Sequence, residues 1–306
     1  MEMRIRENIF PRRWGDRFCF LLIALFLPPI ALFDLILVVP AIHMPGGFMH
    51  TLIFALGVFL FTNILGNMLA TMMVDTSIDA IDLDEATPRN ARAQGWYTCR
   101  HCIKLVPPRS YHCKACRTCI LKRDHHCVFT GCCIGHYNFR YFALFLFYMF
   151  IGSVLSFGYL TYYMFWVNGN IFLHFLSFYK MLCPILMTID GSVWDNVPLI
   201  FYNLNTIAVI ISSILLFFHG IPILNGSTSY ERRFDYPYGR DIYSNLRSIF
   251  GIRMYLVWLS PFISSDLLED GANWNVDFDD IPLERLSRQA NRRQRILRRT
   301  RRTISE

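Results

Sequence analysis

Cysteine and histidine are the residue types in this chain with the most chemistry to offer, and they are concentrated in one segment. The chain has ten cysteines, and eight of them lie between Cys99 and Cys133, interleaved with histidines. The segment reads C-x2-C-x9-H-C-x2-C-x2-C-x4-D-H-H-C-x4-C-C. Cysteines spread through a secreted domain would indicate disulfides, whereas clustering with histidines indicates metal binding or thiol catalysis.

The spacing of these residues favours zinc. Paired C-x2-C steps let two thiolates bind one tetrahedral ion, and zinc accepts mixed Cys and His ligands. Because the segment is short and poor in apolar residues, zinc binding would supply much of its folding free energy. Two closed sites need about eight ligands, and the segment offers more than that. Two interpretations stay open: a purely structural zinc module, or one whose surplus residues carry chemistry.

The string Asp124-His125-His126-Cys127 favours the second interpretation. A catalytic cysteine needs a thiolate, a base that takes its proton and a group that orients the base. Adjacent Asp, His and Cys supply all three. Neighbours in sequence do not necessarily bring their side chains together, so the string is weak evidence outside its context.

The elements that must position this segment are membrane-spanning helices. The 306 residues are 54% hydrophobic and 17% charged, with a mean hydropathy of +0.32, which argues against a disordered or ordinary water-soluble chain. Charge-poor runs of bilayer length occupy residues 18–42, 48–74, 141–167 and 197–224. We predict four transmembrane helices. The apolar segment 171–189 is interrupted by polar residues and a proline, so an interfacial or re-entrant segment is expected there.

The basic residues predict the orientation of the spans, because Lys and Arg near span ends are retained in the cytoplasm. They precede the first span, separate the second from the third and follow the fourth. Both termini and the Cys-rich segment are therefore expected in the cytoplasm, where the sequon at Asn225 would stay unmodified. The net charge of +7 indicates anionic membrane surfaces as neighbours, and no nucleic acid is expected.

The predicted fold class is an all-α polytopic membrane protein with four transmembrane helices and a small, zinc-stapled Cys-rich cytoplasmic domain between the second and third. The predicted parts are a cytoplasmic N-terminus (1–17), transmembrane helices 1 and 2 (18–74), the Cys-rich zinc domain (75–140), transmembrane helices 3 and 4 with a luminal connection (141–224), and a cytoplasmic C-terminal region with an Arg-rich tail (225–306). Pro28 and Pro29 should kink the first span. Polar residues within the spans are interpreted as packing or inter-helix hydrogen-bonding groups; they are Asp34, Asn63, Asn67, Asn203 and Asn205.

Three motifs in the segment carry a family resemblance. They are Cys99-Arg-His-Cys102, the run Pro107-Pro-Arg-Ser-Tyr-His-Cys-Lys-Ala-Cys-Arg-Thr-Cys119, and Asp124-His125-His126-Cys127. Together they resemble the Cys-rich domain of the DHHC family of protein S-acyltransferases, also called palmitoyltransferases, and the four-span layout matches that family as well. Beyond the fourth span, Thr228-Ser-Tyr-Glu231 is similar to the family's TTxE motif, and Asn245 lies in a segment similar to its C-terminal packing motif.

The resemblance implies two structural zinc ions. The first would be bound by Cys99, Cys102, His112 and Cys119, and the second by Cys113, Cys116, His126 and Cys133. It also implies that Asp124 orients His125, that His125 assists ionisation of Cys127, and that Cys127 carries an acyl thioester. Thr228 and Glu231 are expected to brace this site rather than react.

The implied reaction moves a long-chain acyl group from palmitoyl-CoA, or another long-chain acyl-CoA, to cytoplasmic cysteines of membrane-associated proteins. Acyl-CoA, these substrates and the bilayer are the expected partners, and the Golgi or endoplasmic reticulum is the expected membrane. The oligomeric state is not predicted. Basic residues near the motifs are interpreted as contacts for CoA phosphates or for anionic lipid; they are Lys104, Arg109, Lys122, Arg123 and Arg140.

Two departures from the family pattern keep a second function open. Val128-Phe129 replaces the usual Pro-Trp after the tetrad, and Asp75-Thr-Ser77 replaces the DPG motif after the second span. The alternative is a catalytically weak, zinc-containing membrane adaptor or trafficking chaperone. Cys132 also has alternatives: a ligand in place of Cys133, a second acylated thiol, or plain packing.

Overall fold

Four long apolar helices form the body of the molecule in the computed structural model, which describes residues 4–167, 193–231 and 240–274. They are α1 (Trp14–Ile42), α2 (Phe48–Met73), α4 (Phe139–Val167) and α5 (Val193–Leu224). The short helices are α3 (Leu83–Ala86) and α6 (Ile242–Phe250). Because each long helix has the length and hydropathy of a bilayer span, the prediction of an integral membrane protein with four membrane helices is confirmed. The expectation for 171–189 falls outside the described residues.

Helix α1 continues through Pro28 and Pro29 and contains a π-helical turn at Asp34–Val38. Proline removes one donor from the helical ladder, and a π turn accommodates one extra residue per turn. Asp34 in this turn accepts a hydrogen bond from the Ser156 hydroxyl of α4. This contact agrees with the interpretation of Asp34 as a packing group between helices.

Helix α4 lies at the centre of the bundle and packs against α2 and α5. The Asn205 amide of α5 donates to the Ser153 carbonyl oxygen of α4 at 3.0 Å, which confirms its predicted inter-helix role. The prediction was wrong for Asn63 and Asn67, whose amides donate to carbonyls one turn earlier in α2. An Asn side chain in a helix can hydrogen-bond to the backbone carbonyl oxygen one turn earlier instead of to another helix. The Asn203 amide nitrogen has no partner among the described residues.

The Cys-rich segment between α2 and α4 folds as three short antiparallel hairpins, which the sequence pattern does not predict. They pair β1 (Tyr97–Thr98) with β2 (Leu105–Val106), β3 (Tyr111–Cys113) with β4 (Thr118–Ile120), and β5 (His125–Cys127) with β6 (Cys132–Ile134). The turn between β5 and β6 ends at Gly131, where φ is +62° and a Cβ would come within 2.5 Å of Pro11. Only glycine fits this turn without strain.

The N-terminal segment and the region after α5 contact residues that flank the hairpins. The Arg4 carbonyl oxygen accepts from the backbone N–H of Asp75 at 2.9 Å, and the Arg140 guanidinium donates to the Ser265 carbonyl oxygen at 2.7 Å. The N-terminal segment, the hairpins and the region after α5 therefore lie at one end of the helices.

The region after α5 is anchored by its short helix. The Asn245 amide donates to the Leu224 carbonyl oxygen at the end of α5, at 2.8 Å, and the Phe250 ring packs against Trp258. Both contacts agree with the packing role predicted for this motif.

Candidate active site

Two clusters of cysteine and histidine have the geometry to hold a metal ion. One contains Cys99, Cys102, His112 and Cys119, and the other Cys113, Cys116, His126 and Cys133. In each cluster the ligand atoms lie within 4.8 Å of one another. The sulphurs of Cys102 and Cys119 are 3.7 Å apart, and those of Cys116 and Cys133 are 3.6 Å apart. A tetrahedral zinc ion places its thiolates about 3.8 Å apart, so donor set and spacing both fit zinc.

Each cluster is assembled from the hairpins in the same way. A C-x2-C turn supplies two cysteines, and a cross-strand pair supplies a histidine and the third cysteine. The cross-strand pairs are His112 with Cys119, and His126 with Cys133. Directly opposite residues of an antiparallel ladder point to the same face, which brings these ligands together. The middle hairpin contributes to both clusters, so the two candidate sites are mechanically connected.

The histidine of the second cluster has an outer partner in helix α1. His126 Nε2 lies 3.0 Å from Oδ2 of Asp16, whose side chain is buried. His126 Nδ1 then faces the sulphurs of Cys116 and Cys133, at 3.4 and 3.7 Å. A carboxylate behind a ligating imidazole fixes its tautomer and orientation. Asp16 thus connects the membrane helix to the candidate metal site.

Strand β5 gives its two adjacent histidines different surroundings. His126 faces the second cluster, whereas the ring of His125 lies against Phe142 of α4, and Cys127 packs in the same apolar core. Successive residues of a strand point to opposite faces, so His125 and Cys127 share the face that His126 does not. The tetrad is divided into a metal-facing and a helix-facing half.

Asp124 accepts hydrogen bonds from three different parts of the chain. Its Oδ2 lies 2.6 Å from His125 Nδ1 and 3.3 Å from Nδ1 of His219 in α5. Its Oδ1 accepts from the backbone N–H of Ser229 at 2.5 Å. Because Asp124 occupies Nδ1 of His125, Nε2 is the ring nitrogen left for the hydrogen bond between His125 and Cys127. The three tetrad residues expected to act together are therefore in contact.

The electrostatics of the site favour an ionised Cys127. Burial raises the pKa of this thiol, but hydrogen bonds from His125 and from the hydroxyl and N–H of Thr130 hold the pKa below its usual range. Burial lowers the pKa of His125, but its hydrogen bonds to Asp124 and Cys127 raise it to about 9. The pKa of Asp124 stays well below its usual range despite burial, because both histidines donate to it. The shifts of all three groups favour their charged forms: a thiolate, an imidazolium and a carboxylate in a row.

Cys127 lies at one end of a cavity between the four long helices. The cavity has a volume of about 470 Å³, and its lining runs from His125 and Cys127 to Asp34 and Tyr159. Most of the lining side chains are apolar. From Phe142 to Tyr159, helix α4 rises about 25 Å, so the cavity extends across most of a hydrocarbon core of about 30 Å.

Three of the basic residues interpreted as contacts for CoA phosphates or for anionic lipid are buried within the protein, which contradicts both interpretations for them. Arg109 Nε and Nη2 each lie 2.7 Å from a carboxylate oxygen of buried Glu231. Arg140 donates to the backbone at Ser265. Lys122 is buried, and burial together with nearby Arg109 lowers its pKa to about 7. The partly or fully exposed members of the set are Lys104 and Arg123.

Residues 228–231 brace the site from the end of α5. The Thr228 hydroxyl accepts from the Glu231 N–H at 3.1 Å, and the Glu231 carboxylate accepts from the Thr228 N–H at 3.0 Å. The same carboxylate binds Arg109, and the Ser229 N–H between them binds Asp124. The predicted bracing role of Thr228 and Glu231 agrees with these contacts.

Cys132 belongs to neither cluster. Its sulphur lies 3.5 Å from the Thr71 carbonyl oxygen and 3.4 Å from the Thr130 hydroxyl. Burial raises the pKa of the thiol to about 12. A buried, protonated thiol is inert, so the structure favours plain packing among the three alternatives.

Sequence reasoning missed His219 and Asp16. His219 did carry a signal, because an ionisable residue within a predicted span is a functional candidate by default. Asp16 carried a weaker one, as an acid directly before the first predicted span. In both cases the partner lies far away along the chain.

Comparison with known proteins extends the resemblance. A profile described as DHHC palmitoyltransferase matches residues 93–235. The chain is 37% identical over 196 residues to "Probable palmitoyltransferase ZDHHC24" of Danio rerio, an alignment that covers 60% of this chain and 63% of that protein. It is 32% identical to the Mus musculus protein of the same name and 34% identical to the Homo sapiens one. Each of these alignments spans 246 residues, 76% of this chain and 82% of the relative.

These matches run through the Cys-rich hairpins and well beyond them into the membrane helices. Together with the tetrad, the two Cys–His clusters and the four spans, they assign the chain to one family. It belongs to the DHHC palmitoyltransferases, a family of protein S-acyltransferases.

Proposed function

We propose that the protein transfers a long-chain acyl group, palmitoyl above all, from acyl-CoA through a Cys127 thioester to cysteines of substrate proteins. The observation that carries this proposal is the hydrogen-bonded row Asp124–His125–Cys127 at the end of an apolar cavity. An apolar cavity between membrane helices is suited to bind the acyl chain of the substrate.

In the first step, the Cys127 thiolate attacks the thioester carbonyl carbon of acyl-CoA. A carbon–sulphur bond to Cys127 forms, the one to CoA breaks, and His125 Nε2–H gives its proton to the CoA sulphur. In the second step, neutral His125 takes the proton of the substrate thiol, whose sulphur attacks the acyl-Cys127 carbonyl and releases the Cys127 thiolate. Since one thioester replaces another, catalysis depends on thiolate formation and positioning.

The remaining residues hold this geometry. Asp124 orients His125 and stabilises its imidazolium form. The two Cys–His clusters would each bind a zinc ion, which supplies folding free energy to a segment with only a small apolar core of its own. Because His126 and Cys133 flank Cys127 in the same hairpin, the second site fixes the strand that carries the nucleophile.

The cavity is the proposed site of the acyl chain. Burial contributes about 0.8 kcal/mol per CH₂ group, so a long chain anchors acyl-CoA strongly. Asp34 and Ser156 add polar groups to the far part of the lining, which limits the length that binds well. We place the CoA headgroup and the substrate proteins on the cytoplasmic side, in the Golgi or endoplasmic reticulum membrane.

The test is incorporation of alkyne-tagged palmitate into the purified protein. We expect the native chain to acquire a label that neutral hydroxylamine releases, and Cys127→Ser to acquire none at equal protein level and equal zinc content. Transfer to a cysteine-containing membrane substrate should likewise require Cys127.

The adaptor alternative makes the opposite prediction. If native protein and Cys127→Ser both stay unlabelled while each contains two zinc ions, acyl transfer is excluded as the function. The zinc-containing module would then act as a membrane adaptor.

A further inference from the structure

His219 contacts the Asp124–His125 pair from within the membrane bundle. Its Nδ1 lies 3.3 Å from Asp124 Oδ2, and its ring stacks on the His125 ring with centroids 4.5 Å apart and an interplanar angle of 30°. The Phe142 ring, which also contacts His125, meets the His219 ring edge-on at 5.1 Å. With 5% of its surface exposed, the His219 ring is fixed by the protein around it.

The same contacts determine which nitrogen of His219 carries hydrogen. Nδ1 lies near two oxygens, Asp124 Oδ2 and Ser229 Oγ at 3.2 Å. A nitrogen lone pair facing the carboxylate would be repelled, so Nδ1 carries the hydrogen and donates it to Asp124. This assignment leaves Nε2 free of the network.

The group could in principle hold a metal, since donor atoms of Asp124, His125 and His219 lie within 4.8 Å of one another. Nitrogen and oxygen ligands of one tetrahedral zinc ion are about 3.4 Å apart. The 2.6 Å separation of His125 Nδ1 and Asp124 Oδ2 is much shorter than that and is typical of a direct charge-assisted hydrogen bond. The contacts therefore describe a hydrogen-bonded group.

We infer that His219 is a positioning residue for acyl transfer. Its Nδ1–H binds Oδ2 of the Asp124 carboxylate while the Ser229 N–H binds Oδ1, and its ring face holds the plane of His125, so that Nε2 of His125 stays directed at Cys127. The inference rests on the proposed function and deepens it. His219 also lines the cavity. Helix α5, which would contact the acyl chain, therefore also orients His125.

The test uses three substitutions that separate the donor from the ring. His219→Asn keeps an N–H near the position of Nδ1, His219→Gln moves it toward Nε2, and His219→Phe keeps a stacking ring without a donor. Phe217→Leu, on the exposed side of α5, is the matched control. The measurements are the rate of Cys127 acylation by palmitoyl-CoA, the KM for palmitoyl-CoA and the zinc content.

We expect His219→Phe and His219→Gln to lower the maximal acylation rate about tenfold, the effect of losing one hydrogen bond to a charged group. The KM and the two zinc ions per chain should not change. His219→Asn should recover most of the rate, and Phe217→Leu should match the native protein.

A native rate in His219→Gln, or the same loss in His219→Asn as in His219→Gln, would overturn the inference. If His219→Phe fails to fold, the comparison of Asn with Gln still decides. The proposed function fails separately: native protein without a hydroxylamine-labile label would overturn both conclusions, whereas native labelling with an unaffected His219→Gln overturns this one alone.

Discussion

At the residue scale, two neighbouring thiols show that hydrogen-bond donors decide ionisation in this site. Cys127 and Cys132 are cross-strand partners in the same hairpin, and both are buried, with 4% and 1% of their surface exposed. Yet the pKa of Cys127 is lowered by His125 and Thr130 despite burial, whereas burial raises that of Cys132 to about 12. Burial is common to both, so His125 is the difference that matters. The tetrad string alone could not show this, because it does not reveal that residues 125–127 form a strand in which His125 and Cys127 share a face.

The pH dependence of acylation follows from the lowered pKa of Cys127 and the raised pKa of His125. The thiolate forms above the lowered pKa of Cys127, so the rate should rise at a pH below the usual thiol range. Above about 9, the pKa of His125, the imidazolium loses its proton and the CoA sulphur loses its donor, so the rate should fall. His125→Gln should move the rising limb up toward the ordinary thiol range and abolish the falling limb. The measurement is the acylation rate across pH, with Cys132→Ser as the control that keeps the native profile; an unmoved rising limb in His125→Gln would contradict it.

At the element scale, the long helices were predictable and the hairpins were not. A charge-poor run of bilayer length has no stable alternative to a helix in a membrane, and only the ends differ: α1 begins at Trp14 and α4 at Phe139, a few residues before the apolar runs. Strands of two or three residues have no hydrophobic period to detect. The family resemblance nevertheless implied the same ligand sets that the hairpins bring together.

The contact between α1 and the second Cys–His cluster gives a prediction for zinc. Removing the charge behind a ligating histidine costs about 10- to 100-fold in metal affinity, so Asp16→Asn should weaken one of two bound zinc ions by that factor. When a chelator competes for the bound zinc, the release curve should have one phase for native protein and two phases for Asp16→Asn. Asp79→Asn, which removes a half-exposed carboxylate paired with Lys104, is the control and should release zinc like the native protein. Equal weakening of both ions in Asp16→Asn would show a general loss of folding instead.

At the scale of the whole molecule, contacts between segments far apart in sequence hold the site together. Asp124 meets His219 and Ser229, about a hundred residues later. Arg109 meets Glu231 in a buried ion pair. Such pairs depend on how the helices are arranged, which composition and spacing do not encode. The sequence therefore indicated the tetrad and residues 228–231, whereas the contact of His219 with Asp124 and the pairing of Arg109 with Glu231 were found only in the fold.

These long-range contacts also constrain the topology. The carbonyl oxygen of Gly226, in the sequon Asn225-Gly-Ser, accepts from Arg109 Nη2 at 3.0 Å, so the sequon and the Cys-rich hairpins lie on one side of the membrane. The charge rule predicts that this side faces the cytoplasm, where glycosylation does not occur. We expect native protein from mammalian cells to show no endoglycosidase-sensitive mass shift, and a sequon inserted into the 168–192 connection to produce one. A shift in native protein that Asn225→Gln removes would invert the orientation, and with it the side on which acyl-CoA must arrive.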